Sequence, residues 1–183
     1  MNNLTGHWWM FVVRGVTSLA LALLLLLGPG WSSSEAVALA FGIYAIIDSA
    51  SGLGFVSGAK DVRRATYVTR GVVGVAAGAC ALADPSASTL QLYLLAGTWG
   101  IVTGALEMAF ASRAWSALPR ALGFMLAGAV AFGFGLTLLV FPTESAMTLR
   151  AFFAVFALMN GIAAVAVGEG LHHAPGAEPR LAT

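Results

Sequence analysis

Residues 14–29 read RGVTSLALALLLLLGP, residues 70–85 read RGVVGVAAGACALADP, and residues 127–142 read AGAVAFGFGLTLLVFP. In each stretch the second residue is glycine, and a proline stands 15 positions after the first residue. A polar patch and a second apolar run follow: FGIYAIIDSASGL at 41–53, GTWGIVTGALEM at 97–108 and FFAVFALMNGIAAV at 152–165. These runs carry matched triplets, Tyr44–Asp48–Ser49, Trp99–Thr103–Gly104 and Phe156–Asn160–Gly161. The period is 55 to 57 residues and holds two apolar segments. A unit of that kind cannot bury its own apolar faces and is expected to stack on its neighbours.

Composition decides the solvent. Apolar residues make up 59% of the 183 positions and charged residues 9%, against roughly 25% charged in a soluble domain. Mean hydropathy is +0.88. A span needs about 20 apolar residues, and six segments qualify: 8–28, 36–57, 67–83, 88–111, 121–141 and 149–170. The third is short and needs help from its flanks. Spans in lipid must be helical unless they close a barrel, because hydrocarbon leaves an open strand edge unsatisfied. Pro29, Pro85 and Pro142 mark the stops, and Ser32–Glu35, Ser86–Ser88 and Thr143–Ser145 supply the restarts. The expected fold is therefore all-α: a polytopic membrane protein of six transmembrane helices, arranged as three tandem two-helix repeats in a pseudo-threefold bundle. It is read as one transmembrane domain over 1–174, with repeats at 8–57, 67–112 and 121–170, followed by a disordered cytoplasmic tail at 175–183. The first segment, with its unbroken leucine run 23–27, is long enough for a signal-peptide core, but it is one copy of the repeat and is expected to stay.

Lys60, Arg63, Arg64, Arg70, Arg113, Arg120, Arg14 and Arg180 fall on one side, and Arg150 alone on the other, with Glu35, Asp84 and Glu144. The positive-inside rule then sets both termini in the cytoplasm. Units of two spans enter the membrane the same way, so the repeats are parallel, related by an axis along the membrane normal. Gly71, Gly74, Gly78, Gly97, Gly100, Gly104, Gly123, Gly128 and Gly133 give the helices close-packing faces. Cys80 has no disulfide partner and reads as inert packing.

Asp48 is the one acid deep in a span, where an ionisable group needs a partner. Arg14 lies 15 residues inward of Pro29, about 22 Å at 1.5 Å per residue, and Asp48 lies 13 residues inward of Glu35, about 20 Å. Equal depth on adjacent antiparallel helices pairs them. Arg70 has the same depth in the second unit, where Thr103 replaces the acid and Glu107, one turn further in, can serve it. The third unit has Ala127 and Asn160. Arg14, Asp48, Arg70, Thr103, Glu107 and Asn160 thus form a candidate intramembrane polar layer. One reading makes it a register-fixing set of buried or snorkelling groups; the other makes it a pH-responsive cluster. The repeat aromatics Tyr44, Trp99 and Phe156 are expected to fill the bundle core, and Trp8, Trp9, Trp31 and Trp115 to anchor at the interfaces. His7, His172 and His173 are terminal and lack the company of a metal site. No phosphate loop, HExxH or GxSxG is present, so no catalytic residue, cofactor or metal is assigned and an enzyme is not expected.

The repeat unit resembles that of the HdeD-type acid-resistance membrane proteins, in which Arg-Gly opens the first helix, proline ends it and an aromatic precedes an Asp/Asn/Gly-type step on the second. The resemblance covers about residues 8–170; the third copy lacks the arginine. It implies a small bacterial inner-membrane protein with a role in acid or envelope stress and no defined molecular activity. The partners expected are the lipid bilayer and a homo-oligomer or membrane-protein partner, with no nucleic acid. A proton or small-solute channel or transporter, and a structural partner of another membrane protein, are the alternatives.

Overall fold

The computed structural model describes residues 8–28, 33–53, 61–113, 120–143 and 145–172. Six helices fill them: α1 Trp8–Leu27, α2 Ser34–Leu53, α3 Asp61–Ala83, α4 Thr89–Arg113, α5 Arg120–Val140 and α6 Ala146–His172. The described residues contain no strand. His7, Trp31, Lys60, Trp115, His173 and the expected tail at 175–183 lie outside the described residues.

Five helices are long and apolar enough to cross a membrane, and α1 has a shorter apolar run, Phe11–Leu27. At 20 residues, α1 is still about 30 Å long, the thickness of a hydrocarbon core. Helix α3 is longer than expected: it begins at Asp61 rather than at 67, and its apolar part is Arg64–Ala83. Residues 61–66, mostly polar, extend the same helix by more than one turn, which supplies the missing length. Leu23, Leu26, Val72, Leu126, Val140, Phe141, Met147 and Ile162 are exposed on the outside. This is a membrane protein's surface, apolar where a soluble bundle is charged.

Starts and stops follow the repeat. Ser33, Ser88 and Ser145 occupy matched positions and cap α2, α4 and α6: their Oγ atoms accept from Ala36 N, Gln91 N and Thr148 N, each at 3.2 Å. At Ser88 the box is complete, because Gln91 Oε1 accepts from Ser88 N at 2.8 Å. The odd-numbered helices end one residue before the matched Gly28, Asp84 and Phe141.

The packing unit differs from the sequence repeat. The two helices of one repeat touch less than helices of successive repeats do: the tight pairs are α2 with α3, α4 with α5, and α6 with α1. Matched small residues make each pair. A Cβ on Gly42 would sit 3.0 Å from Gly78 O, one on Gly97 3.2 Å from Gly135 O, and one on Gly15 3.0 Å from Gly161 O. At the α6–α1 pair, the positions equivalent to Gly42 and Gly78 are Ala154 and Ala22, both buried. Small-residue faces let backbones approach and gain dispersion contact where lipid offers no hydrophobic drive. Since α6 closes on α1, the six helices form a ring with approximate threefold symmetry. Gly133 departs from the expectation: nothing lies within 4 Å of its would-be Cβ, and it opens a groove between α5 and α6 lined by Leu126, Phe134, Phe152 and Met159.

On the pseudo-axis the matched aromatics Tyr44, Trp99 and Phe156 form a triangle, with centroids 6.1, 5.9 and 6.3 Å apart and all three pairs edge-to-face. At the end of the bundle that carries Glu35, Asp84 and Arg150, Arg150 of α6 donates to the last carbonyls of α1: Leu25 O through Nε, and Leu26 O and Gly28 O through Nη2 at 3.3 Å. A cation at a helix C-terminus meets its orphan carbonyls and its dipole. Arg150→Met is expected to destabilise the bundle by about 1–2 kcal/mol, measured by denaturant titration in mixed micelles.

Candidate functional site

The charged groups of the first two units converge from four helices. Arg14 is on α1, Asp48 on α2, Arg70 on α3 and Glu107 on α4. Asp48 Oδ1 lies 2.6 Å from Arg14 Nε, and Oδ2 lies 2.6 Å from Arg70 Nη2. Glu107 Oε1 lies 2.8 Å from Arg14 Nη1 and 3.0 Å from Arg70 Nη2. Each guanidinium touches both carboxylates and each carboxylate touches both guanidiniums. The Asp48 side chain is 1% exposed, that of Arg14 11% and that of Arg70 7%, so neither arginine snorkels to water. Two charges of each sign cancel, which is how an ion cluster survives in a low-dielectric interior. Glu107 Oε2 has no hydrogen-bond partner among the described residues.

The six residues singled out in the sequence do not form one bonded cluster. Four make the ion cluster. Thr103 Oγ1 instead donates to its own helix at Trp99 O, 2.7 Å away. Asn160 joins a neighbouring neutral cluster, donating through Nδ2 to Tyr44 Oη at 2.8 Å. Tyr44 Oη is 3.1 Å from Ser18 Oγ, which donates to Arg14 O at 2.9 Å. Ser18 is fully buried and was not singled out in the sequence. Its signal was its place one turn after Arg14, matched by Gly74 and Ala131, where a hydroxyl replaces a small apolar residue. The pairing of Arg14 with Asp48 is present, but the sequence placed Glu107 against Arg70 alone, and it also binds Arg14.

The ion cluster is sealed along the axis. One turn toward the α2 N-terminus lies the Tyr44–Trp99–Phe156 triangle. One turn the other way, Phe11, Tyr67 and Phe124 stand at matched positions in the three units, joined by Phe110. Phe11 and Phe124 are 5.2 Å apart, Phe110 and Phe124 5.1 Å, and Tyr67 and Phe110 5.3 Å. In the third unit the positions of Arg70 and Glu107 are held by Ala127 and Ala164, both buried. The basic and the acidic group are absent together, so neutrality holds around the ring. Cys80 departs from the packing role expected of it: it lies exposed on the last turn of α3.

Among the described residues, no three His, Cys, Asp or Glu side chains gather in a way that would hold a metal ion. The arrangement can hold charge in apolar surroundings and can change its packing when that charge changes; it offers no nucleophile–base pair. Fold and cluster together define a polytopic helical membrane protein built from a short internal repeat around an occluded ion cluster. The chain belongs to the family described as a short repeat of unknown function, DUF308, whose model matches residues 69–133 and 126–176, more than half of the chain. No curated protein and no solved structure matches it.

Proposed function

We propose that the protein acts in acid or envelope stress in the bacterial inner membrane, with both ends of the chain in the cytoplasm, and that the Arg14–Asp48–Arg70–Glu107 cluster is its acid-responsive part. The stress role is suggested by the resemblance of the repeat to the HdeD-type proteins, which are members of the same family. The observation that carries the mechanism is the balance of the cluster in a sealed interior. With both carboxylates ionised the net charge is zero. Protonating either one leaves an arginine charge without a counter-charge in a low dielectric, which costs several kcal/mol. Relief comes from opening the bundle at that level, so acid shifts the protein from a closed to an open packing.

The aromatic closure on both sides of the cluster speaks for a packing switch over a conduit. Cells carrying the Asp48→Asn or Glu107→Gln variant are expected to survive an acid challenge about tenfold less well than wild type, the population change produced by 1.4 kcal/mol. Membrane levels at neutral pH are measured alongside. If both variants accumulate normally and acid survival is unchanged, the mechanism is wrong.

A further inference from the structure

The three tight helix pairs should look alike at the end that carries Arg150, and they do not. Position 150 on α6 has counterparts at 93 on α4 and 38 on α2, in the spacing of the repeat. Arg150 covers the end of α1. Tyr93 reaches past the end of α5, its Oη 2.9 Å from Thr143 Oγ1. The third counterpart is Ala38, too short to reach the end of α3. The space that a long side chain takes up at the other two pairs is here a cavity of about 240 Å³, lined by Ala38, Cys80, Asp84, Gln91 and Leu95 among others. It is smaller than the ~300 Å³ at which drug-sized pockets begin and suits a side-chain-sized guest.

The chemistry of the wall says which guest. At the α6–α1 pair the group in this place is a guanidinium, held by Leu25 O and Leu26 O, whose counterparts are Ala81 O and Leu82 O. The last carbonyls of a helix lack intrahelical donors and form the negative end of its dipole. The α3 site adds Asp84, whose counterpart at the α1 end is Gly28, so it is more acidic than the site that already holds an arginine. Asp84 Oδ1 accepts from Ser86 Oγ at 2.7 Å, which turns the carboxylate without neutralising it.

We infer that the cavity at the C-terminal end of α3, between Ala38, Cys80, Asp84 and Gln91, binds a small organic cation bearing a guanidinium or primary ammonium group, in the place that Arg150 fills at the α6–α1 pair. Such a group comes either from a free amine or guanidine or from the headgroup of an aminophospholipid.

Cys80 is the one cysteine of the chain and lines the cavity, so it reports on occupancy. The purified full-length protein is treated with aminoethyl methanethiosulfonate, a cation, and sulfonatoethyl methanethiosulfonate, an anion, and labelling rates are followed by mass. The cation is expected to react faster by about tenfold or more, the scale set by one carboxylate at close range, and Asp84→Asn should abolish that preference. Methylguanidinium should slow labelling, and Ala38→Arg should protect Cys80 outright. In vesicles, protection that depends on added phosphatidylethanolamine assigns the site to the lipid headgroup; protection by methylguanidinium alone assigns it to a soluble cation. Equal rates for the two reagents, a preference that survives Asp84→Asn, or labelling indifferent to methylguanidinium and to phosphatidylethanolamine overturns the proposal. Asp84 is exposed, so its variant tests the idea even if Ala38→Arg fails to fold.

Discussion

Arg70→Ala is expected to destabilise the bundle by about 3–5 kcal/mol, and Glu107→Ala by a similar amount, because each leaves a buried partner without its counter-charge. The double variant Arg70→Ala/Glu107→Ala should cost clearly less than the sum, with a coupling of about 2 kcal/mol or more. The third unit motivates this double variant, since Ala127 and Ala164 occupy the same two positions there and are accommodated. In the double variant Arg14 and Asp48, 2.6 Å apart, remain as a neutral pair. Unfolding in mixed micelles, read by tryptophan fluorescence for the four proteins, measures the cycle. Additive single costs would mean that the two side chains act separately, Arg70 by reaching water and Glu107 by packing. The 7% and 6% side-chain exposures argue against that.

Gly104→Val is expected to prevent stable folding. A Cβ there would lie 2.6 Å from Gly128 O and 2.8 Å from Phe132 Cα, and would also meet Phe132 N. All three atoms are backbone, so no rotamer change makes room. The two helices must move apart along a face that also includes Gly97, Gly100 and Gly135. Overpacking in a core costs about 1–3 kcal/mol, and this clash is expected at or above the top of that range because a whole helix must shift. Gly133→Ala is the matched control on α5: its Cβ enters open space, and the variant should be as stable as wild type. Thermal aggregation in detergent compares the two. A Gly104→Val protein with the wild-type midpoint would mean that α4 and α5 do not pack at this distance.

How much of this was readable beforehand depends on direction. Depth along a helix is legible, because a fixed rise per residue turns the spacing of Arg14, Pro29, Glu35 and Asp48 into heights. The six-helix count came from the lengths of the apolar segments, and the stretches 32–35, 86–88 and 143–145 were legible as restarts, though not which serine in each makes the cap. Azimuth is not legible. Nothing in the spacing says that α2 leans on α3 more than on α1, so Glu107 was assigned to Arg70 alone and its reach to Arg14 was missed. Thr103 shows a second limit: a hydroxyl at the matched depth satisfied itself on its own helix, a local bond that competes with any cluster. Ser18 shows the converse, a serine amid a leucine-rich run that serves Tyr44 across the bundle. The small cavity beside Cys80 was hidden because it arises from what Ala38 lacks: the spacing matches Ala38 with Tyr93 and Arg150, but only the contacts of those two side chains show that they cover a helix end.

The ring closes between α1 and α6, and this bears on how the chain is made. Helix α1 leaves the ribosome first and its tightest neighbour is made after the other five helices. At about 5–20 residues per second that is a wait of roughly 6 to 30 seconds. During it α1, whose apolar run is the shortest of the six, holds Arg14 in the bilayer with Asp48 of α2 as its first available counter-ion, until Glu107 arrives with α4. Arg14 and Asp48 are thus the first two of the four charged groups to be made, and the ion pair between them needs neither of the later two. The four groups alternate in chain order, Arg14, Asp48, Arg70 and Glu107, so at this level the growing chain is never more than one charge from balance.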